Sequence, residues 1–116
     1  MMGRTLVDEM TAGDTMRSGD AEQGDGGRLP DAVELVRTTT SFNERTVPTG
    51  LLSAHALAAN VWGRLVVETG GLRFVFEDDA SGARRLLAGD HQVIPPARPH
   101  HLRLDGAVTF HIEFHR

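Results

Sequence analysis

The stretch that decides the fold covers residues 89–101 and reads Gly-Asp-His-Gln-Val-Ile-Pro-Pro-Ala-Arg-Pro-His-His. Gly89 and Asp90 predict a tight turn, because glycine adopts the left-handed backbone that such turns require. Val93 and Ile94 are β-branched and favour a buried strand. The three prolines lack a backbone N–H and exclude both a helix interior and a central strand. The stretch therefore predicts a strand, a stiff corner and a second strand, which is typical of an all-β fold.

The segment after the corner alternates in polarity. His100, Leu102 and Leu104 fall on one face of the strand, and His101 falls on the opposite, charged face. We therefore predict that His100 points into the core and that His101 faces water. A buried imidazole is either a hydrogen-bonded core residue or a metal ligand or catalytic base, and alternation alone leaves both readings open.

The composition is that of an ordinary globular chain. It has 116 residues, 40% of them hydrophobic, and a net charge of −4, which is enough for one domain with one core. Mild acidity argues against nucleic acid as a partner, because phosphate binding requires a basic face. No apolar run approaches the roughly 20 residues of a membrane span, and acidic residues interrupt the N-terminus where a signal sequence would be apolar. We expect a cytoplasmic protein that binds neither nucleic acid nor membrane.

The amino-acid composition changes along the chain. Residues 1–28 are rich in Gly, Asp, Ser, Thr and Glu, so we predict a flexible tail with too little apolar surface to offset the entropy of ordering. Residues 29–116 contain strand-like stretches about ten residues apart with Gly or Asp turns between them, which predicts one small barrel or sandwich. Gly70-Gly71 predicts a hairpin turn. Residues 51–60, with four alanines and three leucines, predict a helix ending at Asn60, although strand signals flank it.

The order of several short motifs resembles a known family. The motifs are Val47-Pro48-x-Gly50-Leu51-Leu52, then Val61-Trp62-Gly63-Arg64, then Pro95-x-x-x-Pro99-His100, then Phe110-His111-Ile112-Glu113-Phe114. From residue 29 onward this pattern is similar to the small cupin-like family of YeaR and the N-terminal domain of the tellurite-resistance protein TehB. The segment from Gly89 to His100 also resembles the second cupin motif. The resemblance implies a cupin-like double-stranded β-helix, or jelly-roll barrel.

The resemblance further implies a metal site formed by His55, His100 and Glu113. Two imidazoles and one carboxylate suit Fe(II), with open positions for dioxygen and substrate, and equally Zn(II) with water. The chain has no cysteine, so thiolate ligands and a thiol nucleophile are excluded. We expect a metal-binding protein that acts on a small molecule as an oxygenase or isomerase. The alternatives are a non-catalytic metal- or ligand-binding module of the tellurite or nitrosative stress response, and a metal-free structural barrel.

The last strand leaves the role of Glu113 open. One face carries Phe110, Ile112 and Phe114, and the other carries His111, Glu113 and His115. If the aromatic face is the core, Glu113 faces solvent and is no ligand. If a second copy of the chain covers the aromatic face, Glu113 points into the barrel, with His111 and His115 as further candidates. The second arrangement leads us to expect a homodimer.

Three residues are candidates for the substrate pocket, namely Trp62, Arg64 and His111. Trp62 either lines the pocket or packs in the core or an interface. Arg64 either anchors an anionic substrate or pairs with a carboxylate such as Glu68. The charged pairs Arg84-Arg85 and Asp78-Asp79 are expected to be solvated at the ends of hairpins.

Overall fold

The computed structural model describes residues 26–116, so nearly all of the predicted tail lies outside the described residues. Within residues 26–116 the chain forms seven antiparallel strands and one short 3-10 helix. The strands are β1 (Leu35–Thr38), β2 (Phe42–Asn43), β3 (Trp62–Phe76), β4 (Arg84–Leu87), β5 (His91–Ile94), β6 (His100–Arg103) and β7 (Val108–His115), and the 3-10 helix (Thr49–Leu52) lies between β2 and β3. The predicted all-β fold class is confirmed.

The long strand β3 takes part in two sheets. Its first half pairs with β5 and β7, and its second half pairs with β4 and β6. β1 and β2 extend the first sheet by pairing with the two ends of β7. β3 therefore holds the fold together, because every other sheet member pairs either with it or with β7.

The predicted hairpin at Gly70-Gly71 is wrong, because β3 passes through both residues without reversing. Gly70 has a φ of +71°, and a Cβ added there would lie 2.1 Å from the carbonyl oxygen of Ala107. A pairing irregularity between Val67 and Thr69 lies just before it. The glycine pair and the irregularity together bend β3 from one sheet into the other, as such features do at barrel corners.

One hydrophobic core lies between the two sheets. Its buried members come from both sheets and are Leu65, Val67, Leu72, Phe74, Leu86, Ile94, Leu102, Val108, Phe110 and Ile112. Phe110 is 0% exposed and Ile112 is 6% exposed, so the aromatic face of β7 is the core face. The arrangement in which a second copy of the chain covers this face is therefore wrong.

Residues 51–60 do not form the predicted α-helix. The 3-10 helix ends at Leu52, and the chain then becomes extended so that His55 forms a β-bridge with His100. Helix propensity is a weak preference, and pairing with a distant strand overrides it here. This departure from the expected helix is what brings His55 to β6.

The first residue that the structure describes, Gly26, lies beside β5. The carbonyl oxygen of Gly26 accepts a hydrogen bond from the N–H of Val93 at 2.7 Å and from Nε2 of Gln92 at 3.3 Å. A Cβ on Gly26 would lie 1.9 Å from the carbonyl oxygen of His91. The last residues of the predicted tail, from Gly26 onward, are thus packed on the barrel. Between residues 26 and 116, no helix has the length and apolar character that crossing a membrane requires.

Candidate metal centre

The structure brings His55 and His100 together beside the last residue of β3. Their ring centroids are 4.2 Å apart and their planes are inclined by 61°. The backbone N–H of His55 donates to the carbonyl oxygen of His100 at 3.0 Å, and the N–H of His100 donates back at 2.8 Å. Residues that exchange both backbone hydrogen bonds in this way carry their side chains next to each other on one face.

His100 points into the core. It is 2% exposed, and its ring stacks on Phe74 with centroids 5.2 Å apart and planes inclined by 14°. Burial is the largest influence on the pKa of His100 and lowers it below its ordinary value, against the opposing effect of the hydrogen bond to the backbone of Arg98. The imidazole is therefore neutral at pH 7, which is the form that binds metals.

Both rings hold Nδ1 against a backbone carbonyl oxygen. Nδ1 of His55 lies 3.0 Å from the oxygen of Ser53, and Nδ1 of His100 lies 2.8 Å from the oxygen of Arg98. A carbonyl oxygen only accepts, so each Nδ1 carries a hydrogen, and in the neutral form of either ring Nε2 presents the lone pair. Neither Nε2 has a hydrogen-bond partner among residues 26–116. Metal-binding histidines are commonly oriented by this kind of Nδ1 hydrogen bond.

Glu113 does not join the two histidines, which corrects the prediction of a three-residue set. It lies on the outer face of the first sheet, where Nη1 of Arg64 and Nε2 of His115 donate to its carboxylate at 3.0 and 3.1 Å. Burial acts to raise the pKa of Glu113, but the bonds from His115 and Arg64 outweigh it and lower the pKa overall. Among residues 26–116, no three His, Asp or Glu side chains are placed to hold one metal ion.

The residues predicted to line a substrate pocket also lie on the outer face. Trp62 and Arg64 alternate with the buried residues of β3, and Nδ1 of His111 bonds to the carboxylate of Glu68. Arg64 pairs with Glu113 and not with Glu68. We call the group of Arg64, Glu68, His111, Glu113 and His115 the outer network. It stabilises the sheet exterior and is separated from His100 by the sheet itself.

Sequence reasoning missed a pocket that opens beside the phenylalanines packed on His100. It has a volume of about 400 Å³ and is lined by Phe74, Phe76, Asp79, Ser81, Gly82, Ala83, Arg84, Gln92 and Arg98. The expectation that Arg84 is solvated is wrong, because Arg84 pairs with Phe74 across the sheet and shares its inward face. The sequence did contain a signal for this position. Arg84 and Arg85 are adjacent on a predicted strand, so their side chains must point to opposite faces and cannot both be on the solvated one.

A family model of the TehB-like domain matches residues 37–112, which is well over half of the 116 residues. This chain belongs to the TehB-like domain family. The resemblance that the motifs indicated is confirmed.

Solved structures with TM-scores of 0.64 and 0.69 share the fold of this TehB-like domain. A protein from Escherichia coli K12 is 23% identical with a TM-score of 0.69, over 77% of this chain and 95% of that one. TehB from Haemophilus influenzae is 18% identical with a TM-score of 0.64, over 73% of this chain and 32% of that one. A cupin-2 domain protein from Shewanella frigidimarina is 22% identical with a TM-score of 0.46, over 70% and 66% of the two chains. The comparison with curated proteins gives no match.

Proposed function

We propose that this TehB-like domain binds a transition-metal ion, Fe(II) or Zn(II), through Nε2 of His55 and Nε2 of His100. The observation that carries the proposal is the pair of Nδ1 hydrogen bonds to backbone carbonyl oxygens, at 3.0 and 2.8 Å. These bonds leave both Nε2 lone pairs available on neighbouring rings. Imidazole nitrogen is a preferred ligand of both metals.

The two histidines have different parts in the proposed site. His100 is the fixed ligand, because Phe74 stacks on its ring and the fold buries it. His55 is only half-buried, so it forms the side of the site that faces solvent. Two protein donors leave further coordination positions for water or a small molecule. A metal ion bound there would supply Lewis acidity to such a ligand.

The position of Glu113 bears on whether the protein is an enzyme. A facial Fe(II) set requires a carboxylate beside the two histidines, and the carboxylate of Glu113 is instead held by Arg64 and His115 on the outer face. This observation favours the second candidate function, a non-catalytic metal- or small-ligand-binding module of the stress response. The first candidate, an oxygenase or isomerase, would draw a further ligand from elsewhere.

Metal analysis of the 116-residue chain, purified without a histidine tag, tests the proposal. After loading with Zn(II), or with Fe(II) under anaerobic conditions, and dialysis, we expect about one ion per chain. His55→Ala and His100→Ala should lose the ion. His101→Ala is the matched control, because His101 is adjacent in sequence but pairs with Glu77 on the opposite face.

The half-exposed position of His55 makes His55→Ala the decisive variant, since it should fold even where His100→Ala does not. Equal metal content in His55→Ala and His101→Ala, with both variants folded by circular dichroism, would overturn the proposal. If His55→Ala loses the ion, oxygen uptake by the Fe(II)-loaded wild-type protein on addition of candidate substrates separates an oxygenase from a binding module.

A further inference from the structure

We infer that Arg98 is a positioning residue for His100, because its side chain anchors the backbone carbonyl oxygen that decides which ring nitrogen of His100 carries the hydrogen. The anchor, which we call the Arg98 clamp, consists of Arg98, Asp78 and Phe76. The effect of the clamp on a bound metal ion rests on the proposed function. Its effect on the hydrogen of the His100 ring does not, because the carbonyl oxygen of Arg98 bonds to Nδ1 directly.

The guanidinium of Arg98 is held on two sides. Nε and Nη2 donate to Oδ1 of Asp78 at 3.1 and 2.9 Å, and Nε also lies 3.2 Å from Oδ2. The central carbon of the guanidinium lies 3.6 Å from the ring centroid of Phe76. A planar guanidinium that bonds to a carboxylate at two points and stacks on a ring has little freedom to move. Phe76 is the last residue of β3, so the clamp fastens the corner before β6 to the end of β3.

The main chain of the corner is tied to the end of β3 and to the segment that carries His55. The N–H of Glu77, the residue after β3, donates to the carbonyl oxygen of Pro99 at 3.0 Å. The N–H of Ala97 donates to the carbonyl oxygen of Leu57 at 3.0 Å. Leu57 lies two residues beyond His55. The corner is therefore bonded to the elements on both sides of the histidine pair.

The backbone of Ala97 shows that contacts hold the corner in a conformation it does not favour. Its φ is +60°, and no other non-glycine residue between 26 and 116 has a positive φ. The Cβ of alanine makes this left-handed conformation unfavourable, so it persists only where the surroundings impose it. Ala97 is exposed, so its own side-chain packing does not impose it. The strained corner places the carbonyl oxygen of Arg98 2.8 Å from Nδ1 of His100.

Release of the clamp should change the hydrogen position on the His100 ring. A neutral imidazole carries its hydrogen on either nitrogen, and the hydrogen bond that the ring makes selects which one. With the carbonyl oxygen of Arg98 in place, the hydrogen stays on Nδ1. When this oxygen is free to move away, part of the population carries the hydrogen on Nε2. Those rings offer no Nε2 lone pair to a metal ion.

NMR of the imidazole nitrogens in metal-free protein tests the inference. The 116-residue chain is kept in EDTA at about pH 8, where an imidazole is neutral. We expect the wild type to carry the His100 hydrogen on Nδ1. Arg98→Gln and Asp78→Asn should give a mixture in which Nε2 carries part of it. The side chain of Asp78 is 59% exposed, so Asp78→Asn keeps the test available if Arg98→Gln does not fold.

Two matched controls separate the clamp from a general loss of charge or stability. In Arg85→Gln the lost partner is Asp105, and in Asp79→Asn it is Ser81, so neither change touches the clamp. Both controls should keep the hydrogen on Nδ1. Three results would each overturn the inference. They are a wild-type hydrogen on Nε2, folded clamp variants that keep it wholly on Nδ1, and controls that shift as the clamp variants do.

Zinc titration of the same variants extends the inference to the proposed metal site. If the wild type binds the ion, Arg98→Gln and Asp78→Asn should weaken Zn(II) binding about tenfold, and the two controls should not. Equal zinc affinity in the clamp variants and the controls would overturn the inference. If the wild type binds no ion, the proposed function fails, and the NMR result on metal-free protein still decides the inference.

Discussion

His55 and His100 exchange both of their backbone hydrogen bonds, at 3.0 and 2.8 Å, although they lie in distant parts of the sequence. The bridge joins a segment without regular structure to the first residue of β6. Because the main chain holds the two residues together, the two imidazoles are neighbours before any ligand binds. Neither side chain takes part in these two backbone bonds, so the bonds that position one ring do not require the other ring.

This arrangement predicts unequal stability losses for the two alanine variants. His100→Ala removes a buried ring from its stacking on Phe74, and we expect it to lower the free energy of unfolding by about 3 kcal/mol. His55→Ala removes a half-buried ring and should cost about 1 kcal/mol. Urea denaturation of metal-free protein measures both values. Equal losses would contradict the packing of His100 described above.

The outer network predicts acid sensitivity that depends on Glu113. Arg64 and His115 lower the pKa of Glu113 from its ordinary value of 4.5, against the effect of burial. A lowered carboxyl pKa stabilises the fold above pH 4.5, and this contribution is lost as the pH falls from 4.5 through the folded-state pKa. Glu113→Gln should therefore remove about 1 kcal/mol at pH 7, and stability should fall less steeply below pH 4.5.

The control for this prediction is Glu34→Gln, because Glu34 is an exposed carboxylate outside the outer network. Urea denaturation from pH 7 to pH 3 should give the wild-type slope for that variant. The same Glu113→Gln protein should keep its metal content, since Glu113 lies across the sheet from His100. A loss of metal in Glu113→Gln would contradict the placement of this carboxylate.

Local sequence features predicted the strands and the position of His100, because each depends on a few neighbouring residues. The prolines fix the corner before β6, and strand alternation then turns His100 inward and His101 outward. Both features act over a handful of residues. The proline corner and the strand alternation can therefore be predicted without knowing which elements the strand packs against.

The sequence-based predictions that failed are those in which residues far away in the sequence decide the local structure. A glycine pair permits either a reversal or a bend. The pairing of β3 with β7, which resumes after the irregularity and extends to Gly70 and Val108, selects the bend. The alternation of apolar and polar residues along β7 defines two faces, but it does not indicate which face packs in the core. The packing of Phe110 against Phe42, with ring centroids 5.7 Å apart, belongs to the core that makes the aromatic face the inner one. Glu113 was misplaced for this reason.

Two glycines on positive-φ backbone predict different costs for the same substitution. Gly70 has a φ of +71° and a Cβ there would lie 2.1 Å from the carbonyl oxygen of Ala107, whereas Gly82 has a φ of +96° with open space around it. Gly82→Ala should cost about 1 kcal/mol through backbone strain alone. Gly70→Ala adds a clash with backbone and should cost about 3 kcal/mol or more. Thermal or urea denaturation compares them, and equal costs would contradict the close contact at the bend.

The core position of Phe110 predicts loss of stability without a change in oligomeric state. Phe110 is 0% exposed within one chain, so Phe110→Ala should lower the free energy of unfolding by about 4 kcal/mol. His111→Ala, one residue along β7 on the outer face, should cost less than about 1 kcal/mol. Light scattering at a concentration where both variants are folded should give the wild-type mass. If the wild type is a dimer that Phe110→Ala converts to a stable monomer, the aromatic face is an interface and not the core.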